Sequence, residues 1–201
     1  MTYAKSKETI QGILEVARTL FTEKNYADVT INDIVTRANI SKGAVYHHFA
    51  SKEDVYLKMM YHYLAEIQAI TQHSAETSSG SCRERLRQSV FSFLEIPQEL
   101  LGILRLVRRD INIFNDPVRH DLICAYQTAV PEQVEAIIRE GIATGELPQV
   151  DARMFSRQMV ALVEVTLHPY SHKIVGSTGQ MADFVVTMFF DGINGLRNDE
   201  T

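Results

Sequence analysis

Apolar positions recur with helical spacing along most of the chain. Ile10, Ile13, Leu14, Ala17, Leu20 and Phe21 fall at i, i+3, i+4, i+7, i+10 and i+11, which lines one face of an α-helix. Residues 25–28 (Asn-Tyr-Ala-Asp) break the stripe. Thr30, with Asp33 three residues on, predicts a capping box in which hydroxyl and carboxylate satisfy free N–H groups at a helix start. Ile31, Ile34, Val35 and Ala38 follow as a second, very short stripe. Asn39-Ile40 predicts a tight break, Ser41 a new cap, and Val45 with Phe49 a third helix over about 42–49. Ser51, with Asp54 at its third position, opens a longer helix whose apolar side runs Val55, Met59, Met60, Tyr63, Leu64, Ile67 and Ile70. Helices as short as the second and third survive only by packing. Joined by a tight turn, they predict a helix-turn-helix with segment 41–49 projecting outward, Val45 and Phe49 being its core anchors.

Residues 74–82 are polar and predict a loop. Beyond it, helices are expected over about 83–95, 98–114, 118–143, 151–172 and 179–197. Pro97 and Pro117 lie near helix starts, Gly145 lies at an end, and Asp151 is a cap. No alternating pattern runs for more than a few residues. The expected fold class is therefore all-α, about nine helices, with a three-helix head over 1–50 and a helical bundle over 51–201. Residues 154–167 are apolar nearly all round. Met181, Phe184, Val185, Met188, Phe189, Ile193 and Leu196 form one stripe, and Val186 and Phe190 add a second face. A helix with two apolar faces needs two partners. One is the chain's own core and the other, most simply, a second copy, so a homodimer is expected.

Charge divides the chain. Residues 1–75 hold 8 Lys+Arg and 8 Asp+Glu together with four of the seven histidines, whereas 76–201 hold 12 basic and 17 acidic residues. The net charge of −5 argues against a nucleic-acid coat protein, and the asymmetry suggests two parts with different partners. Cys82 and Cys124 form no CxxC pair and read as ordinary thiols in a reducing, cytoplasmic setting. The first residues lack the apolar run of a secretory signal, and no stretch approaches 18 apolar residues, so no membrane segment is expected. There is no GxSxG, no phosphate-cradling glycine loop and no HExxH, so neither catalytic residues nor a metal or cofactor are expected. His168 and His172 have a metal-pair spacing, but Pro169 disrupts the helix between them and a terminal turn is the better reading.

The string TINDIVTRANISKGAVYHHFASKEDVY over 30–56 resembles the DNA-binding signature of TetR/AcrR-type bacterial transcriptional repressors. Residues 17–21 (ARTLF) and Asn25-Tyr26 fit the same signature, and 140–148 (EGIATGELP) is similar to the family's turn before its two dimerisation helices. The strong match covers about residues 8–60. The resemblance implies a homodimer that binds a palindromic or near-palindromic DNA operator and is released when a small-molecule effector enters its C-terminal helices. It implies that positions matching Tyr46, His48, Lys52 and Thr30 grip phosphates, and that those matching Lys42, Ala44 and His47 more often face bases. The residue chemistry agrees. Gly43 and Ala44 make a slim face for a major groove, Ala44 offers only a methyl, and Ser41 and Lys42 stand at a helix N-terminus where N–H groups favour phosphate. The neutral charge of the head departs from the basic pattern of many DNA-binding heads.

An effector site is harder to place. Met59, Met60, Tyr63, Phe91, Phe93, Leu94, Leu104, Val107, Ile111 and Tyr126 could line an adaptable apolar cavity. Each one is individually more at home in plain core. Arg105, Arg108, Asn112, Gln127, Glu164 and His168 are polar groups set in apolar stretches. Glu164 is the foremost of these, either meeting a cationic ligand or, preferably, pairing with an arginine across a dimer. Met159, Val163, Leu167, Phe184, Met188 and Phe189 are the expected dimer-interface residues. Two other readings stay open: a DNA-binding regulator without a small-molecule effector, and an all-α carrier or enzyme whose first helices only resemble a helix-turn-helix.

Overall fold

Caps and breaks divide the chain into helices at the residues the sequence marks, and at some it does not. The computed structural model describes residues 2–195, with side chains described over 6–191. In chain order the helices are α1 (Thr2–Glu23), α2 (Ile31–Ala38), α3 (Lys42–His48), α4 (Lys52–Thr77), α5 (Cys82–Leu94) and α6 (Gln98–Asp110). They continue with α7 (Val118–Ala129), α8 (Pro131–Ala143), α9 (Ala152–Thr166), α10 (Pro169–Val175) and α11 (Thr178–Gly195). Short 3-10 turns occupy Tyr26–Asp28 and Ile111–Ile113. The described residues contain no strand, and the protein is all-α. The side chain of Ile193, and Leu196 altogether, lie outside the described residues.

Three differences from the sequence-based boundaries have local causes. The helix expected over 118–143 is two helices, because Val130 leaves helical geometry at φ −135°, ψ −64° and Pro131, lacking an N–H, starts α8. The helix expected over 151–172 likewise ends at Thr166. His168 caps α10, its ring Nδ1 accepting from Tyr170 N–H at 3.1 Å, with Pro169 in the first turn. The polar segment 74–82 is only partly loop: α4 continues to Thr77, where Thr77 Oγ1 bonds the His73 carbonyl at 2.7 Å, and Ser81 already caps α5.

Packing groups the residues into two compact units. The first comprises 1–65 and 98–125, the second 66–97 and 126–201, so packing does not follow a boundary at residue 50. In the first unit, α2 packs on α1 and α3 on α2, around Ile13, Ala17, Leu20, Phe21, Ile34 and Val45, all of them buried. α6 also packs on α1. Burying one such valine or leucine contributes about 1.5–3 kcal/mol, which is what keeps helices of 7 and 8 residues folded. In the second unit, α5 packs against α8 and α11, and α9 against α8 and α11. Its core includes Leu86, Ile137, Ile138, Met159 and Val185. No described helix is long and apolar enough to cross a membrane.

Candidate nucleic-acid interface

The turn between α2 and α3 is fixed by its ends. Thr30 Oγ1 accepts from Asp33 N–H at 3.2 Å, and the Asp33 carboxylate accepts from Thr30 N–H and Oγ1–H at 2.7 and 2.6 Å. Those bonds hold the Asp33 carboxyl below the usual aspartate range. At the other end Asn39 takes a left-handed conformation (φ 52°, ψ 46°), the break read from Asn39-Ile40. Ser41 Oγ then accepts from Ala44 N–H at 3.1 Å and starts α3. On the flank, Arg37 bridges to Glu23 at 2.7 Å, and this guanidinium bond lowers the pKa of Glu23.

Val45 and Phe49 are buried, as the spacing predicts, and they orient the rest of α3. Lys42, Gly43, Tyr46 and His47 face outward, Tyr46 with half its surface exposed, while Ala44 and His48 are half-buried. A Cβ at Gly43 would meet only Ser41 Oγ, at 3.8 Å, so nothing inside the fold requires glycine there. The Lys42 ammonium stands 5.9 Å from the Tyr46 ring centroid, and the His47 and His48 rings are 4.7 Å apart. One continuous exposed face therefore carries a cation, a phenol and an imidazole beside a bare backbone, groups able to hydrogen-bond phosphate oxygens or base edges. Thr30 and Ser41 are exposed at the starts of α2 and α3.

Lys52 is positioned differently from a free surface cation. Its Nζ donates to the Tyr26 carbonyl at 2.8 Å and lies 4.3 Å from the Tyr26 ring centroid. Two of its ammonium hydrogens remain for an anion. Tyr26 is thus the residue that sets the direction of Lys52. Sequence reasoning noted Asn25-Tyr26 without assigning it this role. Tyr26 belongs to an aromatic cluster with Phe21, Tyr56 and Phe114, whose centroids lie 4.8–5.8 Å apart. Beneath it Tyr56 Oη donates to buried Asp110 at 2.8 Å. Arg109 clasps the same carboxylate at 2.7 and 2.8 Å and donates to the Phe21 carbonyl at 3.0 Å. Burial, and then the Asp110 charge, push the Tyr56 phenol well above its ordinary pKa.

Residues 13–59, the span of this helix-turn-helix, match the family described as bacterial regulatory proteins, tetR family. Over these residues the chain is similar to the TetR family. It is 32% identical over 108 residues to the biofilm operon icaADBC HTH-type negative transcriptional regulator IcaR of Staphylococcus aureus (strain Newman). That alignment covers 52% of this chain and 53% of IcaR. The chain thus spans about half the length of the curated relatives it matches. The TetR family regulator PfmR of Thermus thermophilus shares the fold at a TM-score of 0.71 and 23% identity, covering 88% of this chain and 96% of PfmR. FadR of Bacillus subtilis, solved in complex with stearoyl-CoA, shares it at 0.74 and 16% identity, covering 91% and 98%.

The residues expected at an effector site do not converge. Met59, Met60, Tyr63 and Leu104 are buried core of the first unit. Arg105 and Arg108 are exposed there. In the second unit Phe91 is exposed and Leu94 half-buried. Tyr126 and Glu164 do meet, Oη to Oε1 at 3.2 Å, and Gln127 Oε1 accepts from Arg153 at 3.2 Å. Gln127 lines a polar open cleft of about 380 Å³ with Glu132, Glu135, Arg139, Arg153 and Arg157. A second, apolar cavity lies among α4, α5, α8 and α9. Of all the positions singled out for an effector only Phe93 lines it; Met159 and Val163, expected at a dimer interface, line it too. Ser89, Val90, Val134 and Val160 also line it, and only the fold brings them to one space. The remaining interface candidates divide. Phe189 is buried and Leu167 half-buried within the chain, while Phe184 and Met188, one turn apart on α11, are about half exposed.

Proposed function

We propose that this protein is a homodimeric, sequence-specific DNA-binding transcriptional regulator, a repressor released from its operator by a small-molecule ligand. The observation that carries the reading is the exposed face of α3, locked by the buried Val45 and Phe49. Lys42, Ala44 and His47 meet base edges. Thr30, Ser41, Tyr46, His48 and Lys52 hold phosphates and set register, and Gly43 admits the close approach of the groove wall. The head is residues 1–50, and 51–201 serve ligand binding and dimerisation. Phe184 and Met188, together with exposed Val165 on α9, are the apolar surface offered to the second copy. The paired heads then address half-sites about one helical turn apart, which predicts an inverted-repeat operator.

IcaR's role as a negative transcriptional regulator supports repression, and the stearoyl-CoA complex of FadR supports release by a ligand. The test is selection of bound fragments from a bacterial genomic DNA pool at near-physiological salt, wild type beside Tyr46→Ala. An enriched inverted repeat, lost in the variant, is the expected result. No enrichment over the variant would sink the reading and bring forward an all-α carrier or enzyme.

A further inference from the structure

Two hollows of the second unit differ sharply in character. The 380 Å³ cleft of Gln127 and Arg153 is open and strongly polar, and two of its arginines are engaged: Arg139 bonds Glu135 at 2.5 Å, and Arg153 donates to the Gln127 amide oxygen at 3.2 Å. The hollow among α4, α5, α8 and α9 is the reverse. Its walls are Phe93, Val134, Met159, Val160 and Val163 with their neighbours, and among the described residues no ionisable side chain lines it. Its only polar wall residues are Thr71, Ser89 and Gln133.

Two of those three are already engaged. Thr71 Oγ1 donates to the Ala129 carbonyl at 2.6 Å, and the Gln133 amide donates to the Thr128 carbonyl at 3.2 Å. Ser89 is the exception. A helical serine ordinarily bonds the carbonyl one turn back, as Thr71, Ser156 and Thr166 bond carbonyls of their own helices. Ser89 Oγ is buried and has no hydrogen-bond partner among the described residues. A buried hydroxyl left in this way is an unused recognition group.

The cavity volume is about 30 Å³, room for about one water molecule. Ligand sites are typically of about 300 Å³ or more, so occupation requires the walls to move. Met159, unbranched and able to change rotamer, is the wall most able to give way. A charged group entering here would lose its hydration with no counter-charge to replace it.

We propose that this cavity is an expandable binding site for a neutral, mainly apolar small molecule carrying one hydrogen-bonding group, which Ser89 Oγ engages. The proposal rests on the reading of the protein as a ligand-released regulator, and binding and release are measured separately below.

The experiment uses the full chain and three probes of equal length: 1-octanol, octanoate and octylammonium. Melting temperature and titration calorimetry are followed for wild type, Ser89→Ala and Val163→Phe. In wild type, 1-octanol raises the melting temperature with concentration, because it binds only the native state. The two charged probes at the same free concentration do not. Ser89→Ala is at least as stable as wild type without probe and binds 1-octanol roughly fivefold more weakly, the loss of one neutral hydrogen bond. Val163→Phe fills the cavity and abolishes binding. Should that variant fail to fold, Ser89→Ala and the probe comparison decide alone. Equal shifts from all three probes, unchanged octanol affinity in Ser89→Ala, or no octanol binding by wild type would overturn the site. An operator fragment in the same titration separates the two ideas. Bound 1-octanol that leaves operator affinity unchanged defeats ligand release at this site while the cavity stands. Release by another compound that does not compete with 1-octanol defeats the cavity while ligand release stands.

Discussion

At the scale of single residues, environment gives like side chains unlike chemistry. Cys82 lies under α8, its Sγ 3.7 Å from the Ile137 carbonyl, and burial, then the Glu146 charge, push its thiol up to about 11. Cys124 is exposed, 3.5 Å from His120 Nε2. At pH 8 roughly one Cys82 in a thousand is thiolate, so native protein should alkylate rapidly at Cys124 alone, with Cys82 reacting only on unfolding. Mass mapping after timed iodoacetamide labelling checks this, and equal rates would contradict it. Asp33 makes a second case. Its folded pKa is depressed by Thr30, so its contribution is complete above the unfolded value near 3.8 and is lost as pH falls through the folded value. Urea unfolding between pH 5 and pH 2 should show an acid loss of stability that is smaller in Asp33→Asn, which lacks this titration.

Elements follow their punctuation. The caps Thr30, Ser41, Ser51 and Asp151 are all used, with Asp54 N–H bonded to Ser51 Oγ at 3.1 Å and Met154 N–H to Asp151 at 2.9 Å. They were legible because a cap and its partner lie three residues apart. The break at Val130 was hidden because apolar spacing carries straight across it, although Pro131 was a visible signal. Gly141 stands in the last turns of α8, where a Cβ would come within 2.6 Å of Cys82 Sγ and 2.9 Å of its Cβ. Gly141→Ala should therefore force α5 and α8 apart and cost about 1–3 kcal/mol in chemical denaturation. Adding Cys82→Ala should recover part of the loss, and strictly additive effects would show that the two positions do not meet. The sequence marks 140–148 by family resemblance only; the tight contact is a long-range fact that no local pattern encodes.

At the scale of the whole molecule, function depends on groups gathered from distant parts of the chain. The α3 face was readable in full, since Lys42 to Phe49 fold as one short helix with a two-residue anchor. The apolar cavity of the second unit was not, because Ser89, Val134 and Val160 come from three helices and none is unusual in its own segment. Binding to DNA tests the molecule as a unit. Tyr46→Ala should weaken binding to specific and random duplex alike and flatten the salt dependence, as the loss of phosphate contacts does. Changes at Lys42 or His47 should also shift sequence preference by roughly 1–3 kcal/mol between operator variants. Binding isotherms over a salt series decide this, and four unaltered slopes for Tyr46→Ala, Lys52→Ala, Lys42→Ala and His47→Ala would place the DNA elsewhere.

The ring cluster of Phe21, Tyr26, Tyr56 and Phe114, tied below by Asp110 and Arg109, has a consequence for anyone who cuts or splices this chain. A fragment ending at residue 50 keeps α3 and loses Tyr56, Phe114 and the Asp110 carboxylate that Tyr56 bonds. Lys52 is lost as well, and the Tyr26 carbonyl is left with nothing to aim. Heads exchanged between relatives at that point would inherit a foreign support. The smallest transplantable unit is discontinuous: the first 65 residues travel together with 98–125, or α3 arrives without the floor it stands on.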